Sequence, residues 1–268
     1  MPLRPTWKGA IAFGMVVIPV RLYKATENKT VAFHLLHQKC HSRARIVYRC
    51  EDEGEYFGLA DTVRAYEYAK GEYVTFEPAD FERLPLKSLR TIEVSAFAPG
   101  NQIDPVRYKD AYYIEPEKLG ERPFALFQQA LVATGRVAIA RITFAQREHL
   151  CCLRPDGDTI ILHTLYYHDE VRSREGIATP DATTRPEELE LAITLVNAMP
   201  AGFRPEEYED DYRRALEQVV EAKLAGRETP QVAPSPPPVA DFMAALRASV
   251  EAAKGKQQAD GRSKERSA

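Results

Sequence analysis

Five residues that carry nitrogen or sulfur donors lie close together near the start of the chain: His34, His37, Cys40, His41 and Cys50. Imidazole nitrogen and thiolate sulfur are ligands that zinc prefers, so a metal site, and with it a small metallo-hydrolase, is one hypothesis for this segment. The alternative is that the cysteines are unligated, partly buried thiols beside histidines of neighbouring strands. The residue types alone leave both interpretations open.

Positive charge is the second chemical feature, and it is concentrated in two segments. Residues 1–50 contain nine Lys and Arg against one acid, Glu27. Between Pro123 and Pro155 four arginines are opposed only by Glu148. The whole chain has a formal net charge of −3, so this distribution favours a protein with one cationic surface for a polyanion and one solvated surface. Ordinary exposed bases are the alternative for each residue.

Several function classes lack their sequence signatures. The chain contains no GxxxxGK[ST], GxGxxG, GxSxG or HExxH motif, so we expect neither an enzyme nor a cofactor. No run approaches the roughly 18 apolar residues of a membrane helix, and residues 1–5 do not begin an export signal. We expect a cytoplasmic protein with reduced thiols. The adjacent Cys151 and Cys152 should point to opposite faces of one strand, which excludes an easy mutual disulfide.

The elements that must position these residues are mainly β-strands from residue 7 to about 175. Val, Ile, Tyr, Phe and Thr recur in short runs separated by turn residues. One helix, Arg122–Thr134, is embedded among them and should end at Gly135. Many short strands with a single helix favour a barrel over a parallel sheet. The predicted strands are Ile11–Met15, Val17–Tyr23, Val31–Leu36, Ala44–Arg49, Val63–Tyr68, Tyr73–Phe76, Thr91–Phe97, Ala111–Ile114, Val137–Phe144, His149–Leu153 and Thr159–Tyr166.

The character of the chain changes near residue 185. Pro186–Met199 and Pro205–Gly226 begin on proline and carry acids in their first turns, which predicts helices. Residues 229–238 are Pro-rich and predict an extended linker, and Val239–Ala253 predicts a short amphipathic helix. The predicted organisation is therefore a β-barrel core over 1–185, a helical region over 186–228, a linker over 229–238, an amphipathic helix over 239–253 and a disordered polar tail over 254–268.

The run Trp7–Glu27 closely resembles the start of the bacterial Ku proteins of non-homologous end joining. Later stretches agree with that family in order and spacing, so that the resemblance covers residues 4 to about 254. Those stretches are Val31–His37, Ala65–Val74, Ile103–Pro105, Tyr112–Pro116, Ala130–Arg141, Leu153–Asp158, Glu170–Arg172, Glu188–Met199, Phe203–Tyr208 and Val239–Lys254.

The resemblance implies a fold and a function. The fold is mainly β with α: a Ku-type β-barrel core with an embedded helix, a DNA-encircling bridge and a C-terminal helical region, assembled as a homodimeric ring. The function is sequence-independent binding of double-stranded DNA ends in double-strand break repair, in the cytoplasm at the nucleoid. The partners are the DNA ends, a second copy and the ATP-dependent DNA ligase of the pathway. From the resemblance we expect no N-terminal α/β domain like that of the large eukaryotic members, and only a short basic tail.

A ring that binds phosphates needs Lys and Arg along its bore, and such contacts position the protein without reading bases. Arg141 shares a strand face with Val137 and Ile139, so a salt bridge at the edge of the core is its competing role. The residues that we expect to contact DNA are Lys8, Arg21, Lys24, Arg136, Arg141, Arg147, Arg172 and Arg174.

The amphipathic helix near the C-terminus is the expected site for the ligase. Phe242, Met243, Leu246 and Val250 lie on one side of it, as in helices that dock into a groove of a partner. The alternative is that this helix packs back onto its own domain. A DNA-free scaffold that uses the same helix is the alternative function.

The family also bears on the metal hypothesis. Some bacterial Ku sequences carry a His, a Cys and then a Cys-x-x-Cys pair in this region. This chain has His37, Cys40 and Cys50, but Glu53 stands where the last Cys would be. We therefore expect no metal here.

Overall fold

The structure is a computed structural model that describes residues 4–83, 90–144, 147–178, 185–199, 202–227 and 246–251. Seven strands form a closed barrel, which confirms the predicted β-barrel core. The strand that starts the barrel pairs antiparallel with the second strand and parallel with the strand on its other side. In order around the barrel, the strands are β1 (Trp7–Phe13), β2 (Val16–Lys24), β8 (Tyr108–Pro116), β11 (Thr159–Leu165), β10 (Arg147–Asp156), β9 (Arg136–Phe144) and β7 (Thr91–Pro99).

The barrel interior is filled by aliphatic side chains from alternating strand positions. Along β2, Ile18, Val20 and Leu22 are fully buried, and the residues between them are not. This period of two is the pattern of a strand with one face on a core. Helix α2 (Glu121–Thr134) adds Phe127 and Leu131 to the same cluster.

Helix α2 confirms the embedded helix of the sequence prediction almost to the residue. It ends where Gly135 adopts a left-handed conformation with φ of 62°. The amide of Gly135 donates to the carbonyl groups of Leu131 and Val132, which satisfies two of the last helix acceptors. The glycine thus ends the helix directly before the next strand of the barrel.

Cys151 and Cys152 point to opposite sides of β10, as predicted. Cys151 belongs to the main core, whereas Cys152 packs with Val137 and Leu165 in a second cluster. Burial raises the pKa of Cys152 to about 11 and raises that of Cys151 as well. Both residues are free thiols that stay protonated at neutral pH.

A long insertion leaves the barrel between β2 and β7. We call its described part, residues 25–83, the arm. It contains the hairpin β3 (Tyr48–Arg49) and β4 (Tyr56–Phe57), the hairpin β5 (Arg64–Ala69) and β6 (Glu72–Phe76), and helix α1 (Pro78–Glu82). The turn between β5 and β6 uses Gly71 at φ of 79°, which an L-residue with a side chain rarely adopts.

Two predicted strands of the arm are wrong. The segment predicted as Val31–Leu36 contributes only an isolated bridge from Leu36 to Arg43, and the segment predicted as Ala44–Arg49 contributes only β3. Their β-branched residues satisfy strand propensity, but the described chain offers them no long neighbouring strand to pair with. Strand propensity depends on such neighbours more than on the residue itself.

The chain forms two compact units, residues 1–174 and 175–268. The second unit contains α3 (Pro186–Ala198), α4 (Asp211–Leu224) and a helical stretch at 246–251. The prediction of one helix over 205–226 is wrong, because α4 begins only after Asp210. The Asp210 carboxylate accepts a hydrogen bond from the Arg213 amide at 3.0 Å and caps the helix there. The predicted linker 229–238 and tail 254–268 lie outside the described residues.

Candidate nucleic-acid interface

Two of the predicted DNA contacts share one carboxylate. Lys8 and Arg21 are directly opposite each other across β1 and β2, so their side chains lie on the same face. Lys8 Nζ lies 3.0 Å from Glu117 Oε1, and Arg21 Nε donates to the same oxygen at 3.2 Å. The hydrogen bond from Lys8 is the main reason why the pKa of Glu117 is lowered. The acid therefore separates two cations that would otherwise repel.

Two acids of β8 also pair with predicted DNA contacts. Lys24 Nζ lies 3.6 Å from Asp110 Oδ1. An Arg21 guanidinium nitrogen lies 3.9 Å from Glu115, whose carboxylate accepts a hydrogen bond from the Tyr23 hydroxyl. The N-terminal cations thus form a network with acids from β8 and the turn after it, instead of a bare positive surface.

The cations of β9 and β10 are paired as well. An Arg141 guanidinium nitrogen lies 3.6 Å from Glu148 Oε1, so the competing salt bridge predicted for Arg141 is present. An Arg147 guanidinium nitrogen lies 3.5 Å from Glu170 Oε1. Exposed pairs of this kind contribute roughly 0–1 kcal/mol, because water and salt screen them. A phosphate group can therefore replace either carboxylate.

The last three candidates differ from one another. An Arg174 guanidinium nitrogen lies 3.6 Å from Asp104 Oδ2. Arg136 and Arg172 are exposed, and no carboxylate among the described residues lies within 4.0 Å of either guanidinium. Arg136 also borders an apolar cavity of about 430 Å³ whose walls include Phe13, Phe97, Leu126 and Phe127. Burial excludes none of the eight candidates, and their role in DNA binding stays a prediction.

Sequence reasoning passed over a set of cations in the arm. Lys39, Arg43, Arg45 and Arg49 are all exposed, and none has a carboxylate partner among the described residues. Arg43 contacts the ring nitrogen Nδ1 of His34 at 3.3 Å, and Arg49 Nε donates to the Gly54 carbonyl at 3.2 Å. The signal that could have identified them was the absence of acids between Glu27 and Glu51.

The histidine and cysteine cluster of the arm forms a pair, not a larger group. His37 Nδ1 lies 3.0 Å from Cys40 Sγ. The pKa of Cys40 is lowered to about 7, mainly by a hydrogen bond from the Ser42 side chain and then by His37. Among the residues that the structure describes, no three His, Cys, Asp or Glu come together as a metal site requires. The pair can stabilise a thiolate at neutral pH.

The predicted partner-binding helix is only partly described. Phe242 and Met243 lie outside the described residues. Residues 246–251 are helical, with Leu246 half-buried and Val250 only 5% exposed. The Val250 side chain is therefore covered by the chain itself here, and its contact with a partner stays a prediction that requires its release.

Within the described residues, no helix is both long enough and apolar enough to cross a membrane. This finding concerns helices alone.

Comparison with known proteins identifies a family and several relatives. The family described as Ku70/Ku80 beta-barrel domain matches residues 12–191. Three similar proteins share the name "Non-homologous end joining protein Ku". The one from Frankia casuarinae is 43% identical over 255 residues, which are 94% of this chain and 64% of that protein. The one from Symbiobacterium thermophilum is 41% identical over 270 residues, which are 96% of this chain and 65% of that protein.

The third relative, from Archaeoglobus fulgidus, is 41% identical over 254 residues, which are 94% of this chain and 100% of that protein. The chain thus spans less than two thirds of the Frankia and Symbiobacterium proteins, but the match covers the Archaeoglobus protein along its full length. The similarity covers the barrel, the arm and the helices that follow.

Proposed function

This chain belongs to the Ku family, and we propose that it binds double-stranded DNA ends without sequence preference, as a homodimeric ring, in repair of double-strand breaks by non-homologous end joining. The names of the relatives support the pathway, and the two cationic segments support a polyanionic ligand. Phosphate contacts position a protein on DNA but carry no sequence information. Selection of ends then follows from topology, because a closed ring can load only where the duplex stops.

The main support for a ring-shaped homodimer is that the arm is exposed to solvent. Among the described residues from 26 to 80, none is buried, and both faces of β5 and β6 are open to solvent. An isolated two-stranded hairpin is at best marginally stable in water. The arm nevertheless exposes many large apolar side chains: Phe33, Leu35, Leu36, Ile46, Val47, Tyr48, Tyr56, Leu59, Val63, Tyr66, Tyr68, Tyr73, Val74 and Phe76.

Exposed apolar surface on this scale marks a protein interface. Ile46 is 91% exposed and Leu35 is 80% exposed, which a single chain in water would not tolerate without cost. A second copy of the chain supplies a matching arm, because closed homo-oligomers with two-fold symmetry are the commonest assemblies. The two arms together then form the bridge over the DNA.

The cations support the contact with DNA. Arg136 and Arg172 are available to phosphate without loss of an existing ion pair, and the six paired candidates can exchange a carboxylate for a phosphate at small cost. Each phosphate contact releases counterions, so binding should weaken steeply with salt. If the ring contacts roughly six to ten phosphates, affinity should fall by about three to five orders of magnitude between 50 and 200 mM salt.

We propose two further properties of the same protein. The helix over 239–253 recruits and stimulates the ATP-dependent DNA ligase of the pathway, while the chain itself catalyses nothing and uses no cofactor. Its place of action is the cytoplasm, at the nucleoid. Deletion of residues 230–268 should leave DNA binding intact and remove ligase stimulation. A deletion variant that loses DNA binding instead would contradict this division of roles.

A comparison of DNA topologies tests the main proposal. Binding is measured on a linear duplex and on a covalently closed circle of the same sequence over a salt series, together with the solution mass of the protein. We expect a mass of two chains, retention on linear DNA alone, and persistence of the complex when the ends are blocked after loading. Equal affinity for the circle, or the mass of one chain, would contradict the ring.

A further inference from the structure

The arm divides into two segments of opposite charge. The basic segment, residues 28–50, contains five Lys and Arg and no acid. The acidic segment, residues 51–80, contains nine Asp and Glu against Arg64 and Lys70. The two segments follow each other directly in the sequence, so a single arm contains a positive segment and a negative segment.

The two sets of charges do not neutralise each other within one chain. In the basic segment, Lys39 and Arg45 have no carboxylate within 4.0 Å among the described residues, and Arg43 and Arg49 contact a ring nitrogen of His34 and the carbonyl of Gly54. In the acidic segment, six carboxylates have no cation within 4.0 Å among the described residues. They are Glu51, Asp52, Glu53, Glu55, Glu72 and Glu77.

Aromatic side chains accompany the unpaired carboxylates. Tyr66, Tyr68 and Tyr73 of the β5–β6 hairpin are each more than half exposed. The Arg64 guanidinium at the start of β5 lies 5.2 Å from the centre of the Phe81 ring in α1, a contact in which a cation packs on an aromatic ring of the arm. Exposed rings beside free carboxylates suit Lys and Arg side chains of another segment.

We propose that the basic segment of one copy binds the acidic segment of a second copy, and that the reciprocal contact closes the bridge of the ring. The inference rests on the proposed homodimer and specifies how its arms meet. In this arrangement the two-fold axis runs across the arms and makes them antiparallel, so the positive segment of each meets the negative segment of the other. Both contacts are then identical, as an interface between two copies related by a two-fold axis requires.

Charge complementarity selects the second copy over DNA as the occupant of the acidic segment. Nine acids against two bases would repel phosphates, whatever the basic segment does. The apolar residues of the arm also favour a second copy over DNA, because large aliphatic side chains gain nothing from contact with a phosphate backbone. Leu35, Ile46 and Val47 lie in the basic segment and are all exposed. Apolar contact supplies affinity, and the charges set which ends meet.

Charge exchange between two variants tests the contact. Variant X carries Lys39→Glu and Arg45→Glu, and variant Y carries Glu55→Lys and Glu72→Lys. Each of these side chains is exposed and lacks a partner among the described residues, so folding should persist. The basic segment of X keeps a net charge of only +1, and the acidic segment of Y keeps only −3, so in X–X and Y–Y pairs both contacts lose most of their charge attraction. In the X–Y pair, one contact joins the new Glu side chains of X to the new Lys side chains of Y, and the other contact joins the unaltered basic segment of Y to the unaltered acidic segment of X.

The readout is the dimer dissociation constant from sedimentation, with native mass spectrometry to identify X–Y pairs. We expect the constant to rise about tenfold or more for X and for Y alone at about 0.1 M salt, and to be lower for the X–Y pair than for X–X or Y–Y, so that X–Y pairs predominate in an equimolar mixture. A control variant with Lys118→Glu and Arg122→Glu, two exposed cations outside the arm, should dimerise normally.

The outcomes separate this inference from the function on which it rests. A monomeric unaltered protein would contradict the proposed ring itself. A dimeric protein whose constant is unchanged in both X and Y would overturn the arm contact and leave the ring in place. Loss of DNA binding in X with normal dimerisation in X and Y would assign the basic segment to DNA and overturn the inference.

Discussion

Lys8 Nζ lies 3.0 Å from Glu117 Oε1, although the two residues are far apart in the sequence. Antiparallel pairing of β1 with β2, and of β2 with β8, brings them together. The same oxygen accepts a hydrogen bond from Arg21. Glu117, directly after β8, therefore determines how much positive charge β1 and β2 expose to a ligand.

Replacement of that acid should strengthen DNA binding. Glu117→Gln removes the charge that neutralises Lys8 and Arg21, so we expect about a threefold to tenfold gain in affinity for linear duplex and a steeper dependence on salt. Fluorescence anisotropy over a salt series measures both. Glu207→Gln, which releases Arg204 in the second unit, is the control and should change neither. An unchanged salt slope for Glu117→Gln would remove Lys8 and Arg21 from the DNA-binding surface.

Arg136 and Arg172, which have no carboxylate partner among the described residues, should contribute more to DNA binding than Arg174, which pairs with Asp104. Arg136→Gln and Arg172→Gln should each reduce the magnitude of the salt slope by about one and weaken binding equally for all sequences. Arg174→Gln should have a smaller effect, because Arg174 exchanges Asp104 for phosphate. A larger loss for Arg174 than for Arg136 and Arg172 would show that the ion pairs in the free protein do not predict the contacts.

The barrel could be predicted because the sequences of its strands alternate between buried and exposed positions. Ile18, Val20 and Leu22 alternate with less buried residues along β2, and Gly135 marks the end of α2 by its conformation. Burial imposes this period wherever one side of an element faces a core. The arm has no core of its own, so the β-branched residues at 31–36 and 44–49 suggested strands that the chain does not form.

The electrostatics of the site were predictable only in part. The sequence identifies where Lys and Arg are concentrated, and that was sufficient to select Lys8, Arg21 and Arg141. It does not show that Glu117 and Glu148 contact them, because those contacts depend on strand register across the barrel. The numbers of charged residues in the arm can be read from the sequence, but only the structure shows that many of them have no partner of opposite charge among the described residues.

The two sides of α2 should differ in their contribution to stability. Leu131 is 2% exposed in the main core, whereas Leu126 is 68% exposed at the rim of the apolar cavity. Leu131→Ala should lower the free energy of unfolding by about 2–5 kcal/mol, because it removes buried methyl groups and leaves a cavity. Leu126→Ala should lower it by less than about 0.5 kcal/mol. Chemical denaturation followed by circular dichroism measures both, and equal losses would contradict the placement of α2.

The thiol of Cys40 should react at a lower pH than an ordinary cysteine. Its pKa is lowered to about 7 because Ser42 and His37 donate hydrogen bonds that favour the thiolate. The rate of alkylation by iodoacetamide, followed by mass spectrometry of the Cys40 peptide, should therefore reach half of its maximum near pH 7 and decline below it.

Removal of the donors should shift the pH profile of Cys40 upward. Ser42→Ala should move the midpoint of alkylation to higher pH than His37→Ala does, because the Ser42 hydrogen bond is the larger cause of the lowered pKa. Cys151 serves as the internal control, since it is fully buried and should stay unlabelled until the barrel unfolds. A midpoint above pH 8 in the unaltered protein would show that neither donor stabilises the thiolate in solution, and that the turn from His37 to Ser42 adopts another arrangement there.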